Sequence, residues 1–403
     1  MSYAFSPEQD EFRLSLRRFL ADKSPATEVR KLMEASLGYD RQVWKQMADQ
    51  LGLQGLAIPE EFGGAGSTPV ELGIAFEEMG RVLLCAPFFS TVGLAAQALL
   101  AAGDDQAKRA YLPRIADGSL LATVAVTEAD GRWDLAAVRT AAVPDSDVTG
   151  ATGSSGEPGT FRLDGTKMFV VDGHIAELLL VVAQTGSGLG LFAVDAFADG
   201  VIRTPLQTLD MTRKLARLEF TRVPARLVSG PGDATAALSR ALDLALVALT
   251  SEQAGGAQRC LDMAVDYAKI RMQFGRPVGS FQAIKHKCAE MLIEVESARS
   301  AAYHAAGMAA EALNGGTDAG VAVAARDELG VAAAIAKAYC SEAYFHVAAE
   351  TIQVHGGIGF TWEHDAHLYF RRAKSSQLML GDEHHHRERF AALTWPARAL
   401  SAS

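Results

Sequence analysis

From Asp233 to Leu393 the chain reads as helix with three interruptions, and each interruption is a glycine- or proline-bearing stop. One segment runs from Asp233 to about Arg271 and ends at Phe274-Gly275-Arg276-Pro277. A second covers Ser280 to Leu313 and stops at Asn314-Gly315-Gly316; a third covers Asp318 to about His355 and stops at Gly356-Gly357; a fourth occupies roughly Glu363 to Leu393. Four long helices with short connections predict an antiparallel bundle, in which alanine-rich stretches such as 332–338 are close-packing helix surface.

The first 118 residues also read as helix. Ser6-Pro7-Glu8-Gln9 is a capping box with proline in the first turn, followed by Phe12, Leu16, Phe19 and Leu20 at helical spacing. Thr68-Pro69-Val70-Glu71 repeats the device ahead of Phe76 and Met79, and the segment from Ile58 to Gly66 is too rich in glycine and proline to be other than a shaped loop. Between Leu120 and Val228 the period shortens. Leu120–Val126, Phe161–Val171, Glu177–Gln184, Gly190–Asp195 and Ala216–Val223 read as strands, Asp164-Gly165 as a hairpin turn, and Asp145 to Thr160 as an exposed loop. The expected organisation is therefore α+β, with a helical domain over residues 1–118, a small β-barrel-like domain over 119–231 and a helical bundle over 232–403.

Composition narrows the class. The chain has 38 Lys+Arg against 48 Asp+Glu, a net charge of −10, which argues against a nucleic-acid or anionic-membrane surface as the main partner. With 49% hydrophobic and 21% charged residues it can bury a large core. Cys85, Cys260, Cys288 and Cys340 form no CxxC pair and read as reduced thiols of a cytoplasmic protein. The N-terminal residues lack the basic start and apolar run of a secretory signal, and the longest unbroken apolar stretch, Leu178 to Ala183, falls far short of the ~20 residues that span a bilayer.

Four stretches in register resemble the acyl-CoA dehydrogenase flavoprotein family. Tyr267-Ala268, Arg271, Phe274-Gly275-Arg276-Pro277 and Phe281-Gln282 are similar to its YAxxRxxFGxPIxxFQ signature. Gln353, Gly356-Gly357, Gly359-Phe360 and Arg371-Arg372-Ala373-Lys374 resemble its QxxGGxGF…RxAK segment; Ile58-Pro59-Glu60-Glu61-Phe62-Gly63-Gly64 and Thr127-Glu128 are the other two. The resemblance implies flavin adenine dinucleotide (FAD) as cofactor, a homo- or hetero-tetramer, oxidation of an acyl-CoA thioester to the trans-2-enoyl-CoA, and electron transfer to an electron-transfer flavoprotein. That reaction needs a carboxylate to remove the α-proton, an acceptor for the β-hydride, fixed donors for the thioester oxygen and a cationic fork for the pyrophosphate.

On that resemblance Arg271 is the pyrophosphate ligand, with Phe274 beside it and Gln282 in the same signature; in isolation Arg271 reads first as a cation complementing a helix C-terminus. Gln353, Gly356 and Gly357 meet the adenosine and diphosphate portion, although the two glycines are also a helix stop. Thr127 meets the flavin ring edge or is an ordinary strand threonine, and Phe169 shields a ring face. Three departures stand against the family pattern. Trp133 occupies the place of a phosphate-contacting serine, Val171 that of a flavin-contacting threonine, and Leu380 that of the catalytic glutamate. The alternative glutamate position on the first bundle helix is Ala245. The carboxylates left nearby are Asp243, Glu252, Asp382 and Glu383; of these Asp382 and Glu252 are candidate bases. The adjacent His384-His385-His386 point in different directions on a helix, so no metal site is expected.

Residues that serve a neighbour's flavin are thus intact, and those that deprotonate a substrate are eroded. This is the pattern expected of one half of a heteromeric α2β2 dehydrogenase. The alternatives are a homotetramer with a non-standard base, a flavin monooxygenase of the same fold, and a non-catalytic partner subunit.

Overall fold

A computed structural model of the chain describes residues 5–145, 160–230, 232–314 and 319–395. Most of the expected loop at 145–160 and the Gly315-Gly316 stop lie outside these residues. The N-terminal helices are α1 (Pro7–Lys23), α2 (Ala26–Glu34), α3 (Arg41–Asp49), α4 (Pro69–Arg81), α5 (Gln97–Ala101) and α6 (Asp105–Ala116). The strands follow: β1 (Ala122–Ala125), β2 (Ala141–Pro144), β3 (Thr160–Val171), β4 (Leu178–Thr185), β5 (Gly188–Asp195), β6 (Val201–Pro205) and β7 (Leu215–Leu227). Then come α7 (Thr235–Ile270), a short ribbon of β8 (Met272–Gln273) and β9 (Arg276–Pro277), α8 (Gln282–Asn314), α9 (Ala319–His355), α10 (Ala366–Leu378) and α11 (Glu383–Thr394). Contacts group the chain into two units, one of residues up to Glu34, Thr68–Cys85 and Leu246 onward, the other of Ala35–Ser67 and Ala86–Ala245.

In the first unit both capping boxes form as the sequence predicts. Ser6 Oγ accepts from Gln9 N while Gln9 Oε1 accepts from Ser6 N (2.9 Å), and Glu71 Oε2 accepts from Thr68 N (2.9 Å). Helix α4 is buried along nearly its whole length, including Glu77 and Glu78. Arg13 donates to Glu77 (2.7 Å), Arg17 grips Glu78 through two nitrogens (2.8 and 2.7 Å), and the Tyr303 hydroxyl of α8 donates to Glu77 (2.8 Å). Two buried carboxylates are thereby neutralised by arginines more than 60 residues away in sequence, as burial demands.

Helices α4 and α7 touch backbone to backbone. A Cβ at Gly80 would stand 2.1 Å from the Glu252 carbonyl oxygen, and one at Gly255 would stand 1.9 Å from that of Glu77. Only glycine permits this approach. The expected fourth bundle helix is in fact two, α10 and α11. They are parted at Leu380 (φ +59°) and Gly381 (φ +96°), both left-handed, which no continuous helix accommodates. The stop after α7 is a tight β-ribbon in which Met272 pairs with Pro277 and Gln273 with Arg276. Phe274 (φ +53°) and Gly275 (φ +78°) fill its two central turn positions, where positive φ is required.

In the second unit the pairings β4–β2, β2–β3, β3–β7, β7–β5 and β5–β4 close a ring, with β1 on β4 and β6 on β7. Leu163, Val181, Phe192, Leu218 and Val223 fill its buried centre. Asp164-Gly165 is not the expected hairpin turn. It lies inside β3, which pairs with β2 on one edge and β7 on the other, and Gly165 (φ +151°) marks a bulge in the register with β7. Pairing on both edges overrides the local turn preference. Strands β2 and β6 are short and largely exposed, so they carry little hydrophobic signal in the sequence.

Past β1, Glu128 ties the barrel wall to its own loop. Its carboxylate accepts from Arg139 N (3.0 Å), Thr140 N (2.8 Å), Thr140 Oγ1 (2.7 Å) and the buried Lys167 Nζ (2.9 Å), which also donates to the Val126 carbonyl (2.9 Å). Burial pushes the Glu128 carboxyl up, but hydrogen bonds from Lys167 and Thr140 outweigh it and bring it down to about 2. Burial pushes the fully enclosed Lys167 down to about 8 in spite of that partner.

Two stability measurements test these contacts. Gly255→Ala is expected to cost about 3 kcal/mol in chemical denaturation, because its methyl meets rigid backbone, whereas Gly186→Ala, whose methyl meets nothing within 4 Å, is neutral within about 0.5 kcal/mol. Glu128→Gln leaves Lys167 without its counter-charge and costs about 3 kcal/mol near neutrality. The carboxylate's contribution is present above its ordinary value of 4.5 and fades as pH falls toward about 2. The deficit of the variant relative to the natural chain must therefore shrink over that window in urea titrations at stepped pH.

Candidate functional site

The signature at the end of α7 comes together with the end of α9. The Tyr267 ring lies 4.4 Å from that of His355, so the Arg271 ribbon and the Gly356-Gly357 turn adjoin within the first unit. The Arg271 main chain is pinned on both sides: its N–H donates to the Tyr267 carbonyl (2.9 Å) and its carbonyl accepts from Val278 N (2.8 Å). Its side chain is exposed and meets no partner among the described residues. Phe274 is 90% exposed at the ribbon tip, with Ile270 and Met272 beside it in sequence and Ile358 and Phe360 after the Gly356-Gly357 turn also exposed. Gln282, at the start of α8, is exposed and hydrogen-bonds the His286 ring (2.9 Å). Gln353 faces solvent between buried Ile352 and Val354. Nothing lies within 4 Å of where a Cβ would stand on Gly356 (φ +64°) or Gly357, so both main chains are approachable.

The sequence reading missed a set of stacked rings behind this surface. His355 lies at a tilt between Tyr267 and His364 (4.3 Å), Trp362 stacks against His367 (4.5 Å), and the Arg371 guanidinium sits 4.7 Å from the Trp362 ring centre. Burial holds all three histidines below their ordinary value, which favours the neutral ring in this close cluster. No periodicity announces such a cluster.

A second locus in the same unit surrounds the Leu380 turn. Leu380 is buried, and its carbonyl accepts from His386 Nε2 (2.8 Å). Asp382 caps α11, accepting from His385 N (2.9 Å), and that hydrogen bond lowers its carboxyl. Glu252 is buried against the equally buried Arg372, whose Nη1 donates to it at 2.9 Å. Both candidate bases are thus engaged in structure. Lys337, fully buried on α9, donates to Ser341 Oγ (2.8 Å) and to the carbonyls of Ser376 (3.1 Å) and Gln377 (2.9 Å) in the last turn of α10. Ala245 is buried and chemically inert. His384 and His385 are exposed while His386 is enclosed, and no group of three or more His, Cys, Asp or Glu converges as a metal site among the described residues.

The remaining candidates lie in the second unit. Thr127 is buried; its hydroxyl donates to the Met168 carbonyl, and its own carbonyl accepts from Met168 N (2.9 Å). Phe169 is 40% exposed with φ +56°, a strained conformation for an aromatic residue. Val171 is buried and Trp133 half-buried.

The donor chemistry fits an extended dinucleotide. A free guanidinium on a pinned main chain, two open glycine peptides and an exposed aromatic tip suit a diphosphate flanked by flat rings.

Comparison with known proteins gives the family. Residues 6–119 match the acyl-CoA dehydrogenase N-terminal domain and residues 234–393 the acyl-CoA dehydrogenase C-terminal domain. The chain is 32% identical to acyl-CoA dehydrogenase IpdE2 of Mycolicibacterium smegmatis over 93% of this chain and 95% of that one. A solved structure of the Tcur3481-Tcur3483 steroid ACAD superposes with a TM-score of 0.83 at 33% identity, covering 98% of this chain and 99% of the other. The ChsE4-ChsE5 complex from Mycobacterium tuberculosis gives a TM-score of 0.82 at 27% identity, with 100% of each chain covered. The chain is an oxidoreductase of the acyl-CoA dehydrogenase family, with that family's N-terminal helical domain, middle β domain and C-terminal helical bundle.

Proposed function

We propose that this chain is one subunit of a heteromeric, FAD-dependent acyl-CoA dehydrogenase of α2β2 type, acting on a bulky thioester such as a steroid side-chain acyl-CoA and passing electrons to an electron-transfer flavoprotein. The observation that carries the reading is a contrast within one unit: Arg271 is exposed and unpaired among the described residues, while the position of the usual base is a buried leucine, Leu380. The likeness to a two-component complex and to a steroid enzyme supports the same choice. Within this reading residues 1–118, 119–231 and 232–403 are the domain boundaries, and the cytoplasm is the compartment, consistent with four unbridged cysteines. No helix among the described residues is long and apolar enough to cross a membrane.

Each residue has a task. Arg271 would bind the pyrophosphate, with Gly356 and Gly357 offering main-chain N–H groups and Gln353 a side-chain amide to the adenosine end. Phe274 and Gln282 would line the same stretch; Thr127 and Phe169 would meet the ring system. When bound, FAD supplies the acceptor for the β-hydride. Removal of the α-proton falls to a carboxylate of the second chain. Leu380 has no proton-accepting atom, the Asp382 oxygen that caps α11 is already engaged, and Glu252 has its charge compensated by Arg372. In a homotetramer Glu252 would have to leave a buried ion pair in each turnover, and Asp382 would have to work through the oxygen that does not cap α11.

The test is flavin content. Removing a charge-assisted grip on a diphosphate costs about 1.5–3 kcal/mol, so Arg271→Ala is expected to weaken flavin retention roughly 10- to 100-fold, read as flavin absorbance per protein in the co-purified complex. The chain purified without a dehydrogenase-like partner should show no turnover on CoA thioesters. Full flavin occupancy and dehydrogenase turnover by the lone chain would falsify the heteromeric assignment; unchanged flavin in Arg271→Ala would remove the cofactor assignment.

A further inference from the structure

A cavity of about 310 Å³ lies within the first unit, bordered by α1, α2, α4, α7 and α10. Leu20, Val29, Leu83 and Leu368, all buried, form its apolar wall, and the exposed Ala21, Pro25 and Ala26 line its open side. At ~30 Å³ per water-sized group it has room for about ten of them. It stands apart from the diphosphate surface, since Arg259, which lines it, precedes Arg271 by about three helical turns, or ~18 Å along α7.

One charge around this cavity has no counterpart. Arg17 binds Glu78 through Nε and Nη2 (2.8 and 2.7 Å), Arg81 binds Asp262 (3.0 Å), and Asp365 is held by Arg30 (2.8 Å). Arg259, half-buried on α7, has no carboxylate at ion-pair distance among the described residues. It meets the Tyr369 hydroxyl, a neutral group that itself donates to the Arg81 carbonyl (2.7 Å). An enclosed cation ordinarily has a counter-charge beside it. The apolar wall, for its part, is kept at a conformational cost. Helix α4 closes with the two bonds of a Schellman turn, Leu83 N–H to the Gly80 carbonyl (3.3 Å) and Leu84 N–H to the Met79 carbonyl (3.1 Å). The left-handed position of that turn, ordinarily glycine, is Leu83 (φ +50°). Glycine would be unstrained there but would leave the wall without its side chain.

We infer that this cavity binds a free monocarboxylate with a hydrocarbon body of about eight carbons, its carboxylate on Arg259 and its chain against Leu20, Val29, Leu83 and Leu368. A guanidinium grips a carboxylate through two parallel N–H···O bonds, and the chain adds apolar surface withdrawn from water. The free acid fits and its thioester does not, because an acyl-CoA lacks the carboxylate and its coenzyme is far larger than the cavity. An inorganic anion would meet the charge and leave the apolar wall unused. The inference depends neither on the flavin nor on a partner subunit.

The experiment is calorimetry on the full chain with octanoate and with octanol, which shares the hydrocarbon body but carries no charge. Octanoate is expected to bind about tenfold more tightly. Arg259→Gln is expected to lower octanoate affinity roughly 10- to 100-fold and to leave octanol within about twofold. Ala21→Phe, at an exposed position on the open side, is expected to weaken both ligands by about fivefold or more. Arg271→Ala should leave octanoate binding unchanged, and Arg259→Gln should leave flavin content unchanged, so failure here and failure of the flavin assignment are separate results. A natural chain that does not bind octanoate, or that binds both ligands alike, overturns the inference. So does loss of octanoate binding in Arg271→Ala but not in Arg259→Gln, which would put the carboxylate at the flavin surface, and so does inorganic phosphate that competes as well as octanoate itself. If Arg259→Gln does not fold, the comparison of ligands on the natural chain and Ala21→Phe decide the matter.

Discussion

The backbone contact between α4 and α7 is the constraint from which the rest of the first unit follows. Gly80 lies on the Glu252 carbonyl and Gly255 on that of Glu77, so these two helices cannot slide or rotate without a collision of main-chain atoms. The contact leaves Glu252 facing Arg372 of α10, whose guanidinium it neutralises. It also leaves Glu77 and Glu78 facing Arg13 and Arg17 of α1. Two glycines thus decide where two helices present their charges, and the charges in turn locate α1 and α10.

Buried ionic groups carry an unusual share of this architecture. In the bundle Lys337 is enclosed and pushed by burial down to about 7, while its three hydrogen bonds go to one hydroxyl and two helix-end carbonyls, not to a carboxylate at hydrogen-bond distance. In the barrel Lys167 is equally enclosed, but it meets Glu128 directly. The difference matters. A lysine that meets a carboxylate fixes two charges against each other, whereas one that meets helix-end carbonyls fixes the end of a helix. The first stabilises a wall; the second places a turn.

The same economy ties up both candidate bases near the Leu380 turn. Glu252 is consumed by Arg372, and the Asp382 oxygen facing α11 by the helix cap. The chain retains an open cation and open glycine peptides at the α7–α9 end, while its two candidate bases are tied into an ion pair and a helix cap. That contrast is why a second chain enters the proposed function.

What the sequence determined by itself is everything that closes within a few residues. The capping boxes at Ser6 and Thr68, the left-handed turns at Gly275 and Gly356 and the ends of the long helices are short-range hydrogen-bond patterns, and they stand where the residues predict. The candidate stretches around Arg271 and Gly356 were legible for the same reason: each is a compact motif at fixed spacing. Only the tertiary structure decided outcomes that depend on distant partners. Asp164-Gly165, a hairpin signal in isolation, became a bulge because strands on both sides claimed its backbone. The fourth bundle helix broke at Leu380, a residue with ordinary helical preference, where Lys337 of another helix holds the end of α10 and His386 meets the turn. Local preferences are worth tenths of a kcal/mol to about one per residue, and a buried charge or a saturated hydrogen-bond network is worth several, so wherever the two compete the distant partner prevails.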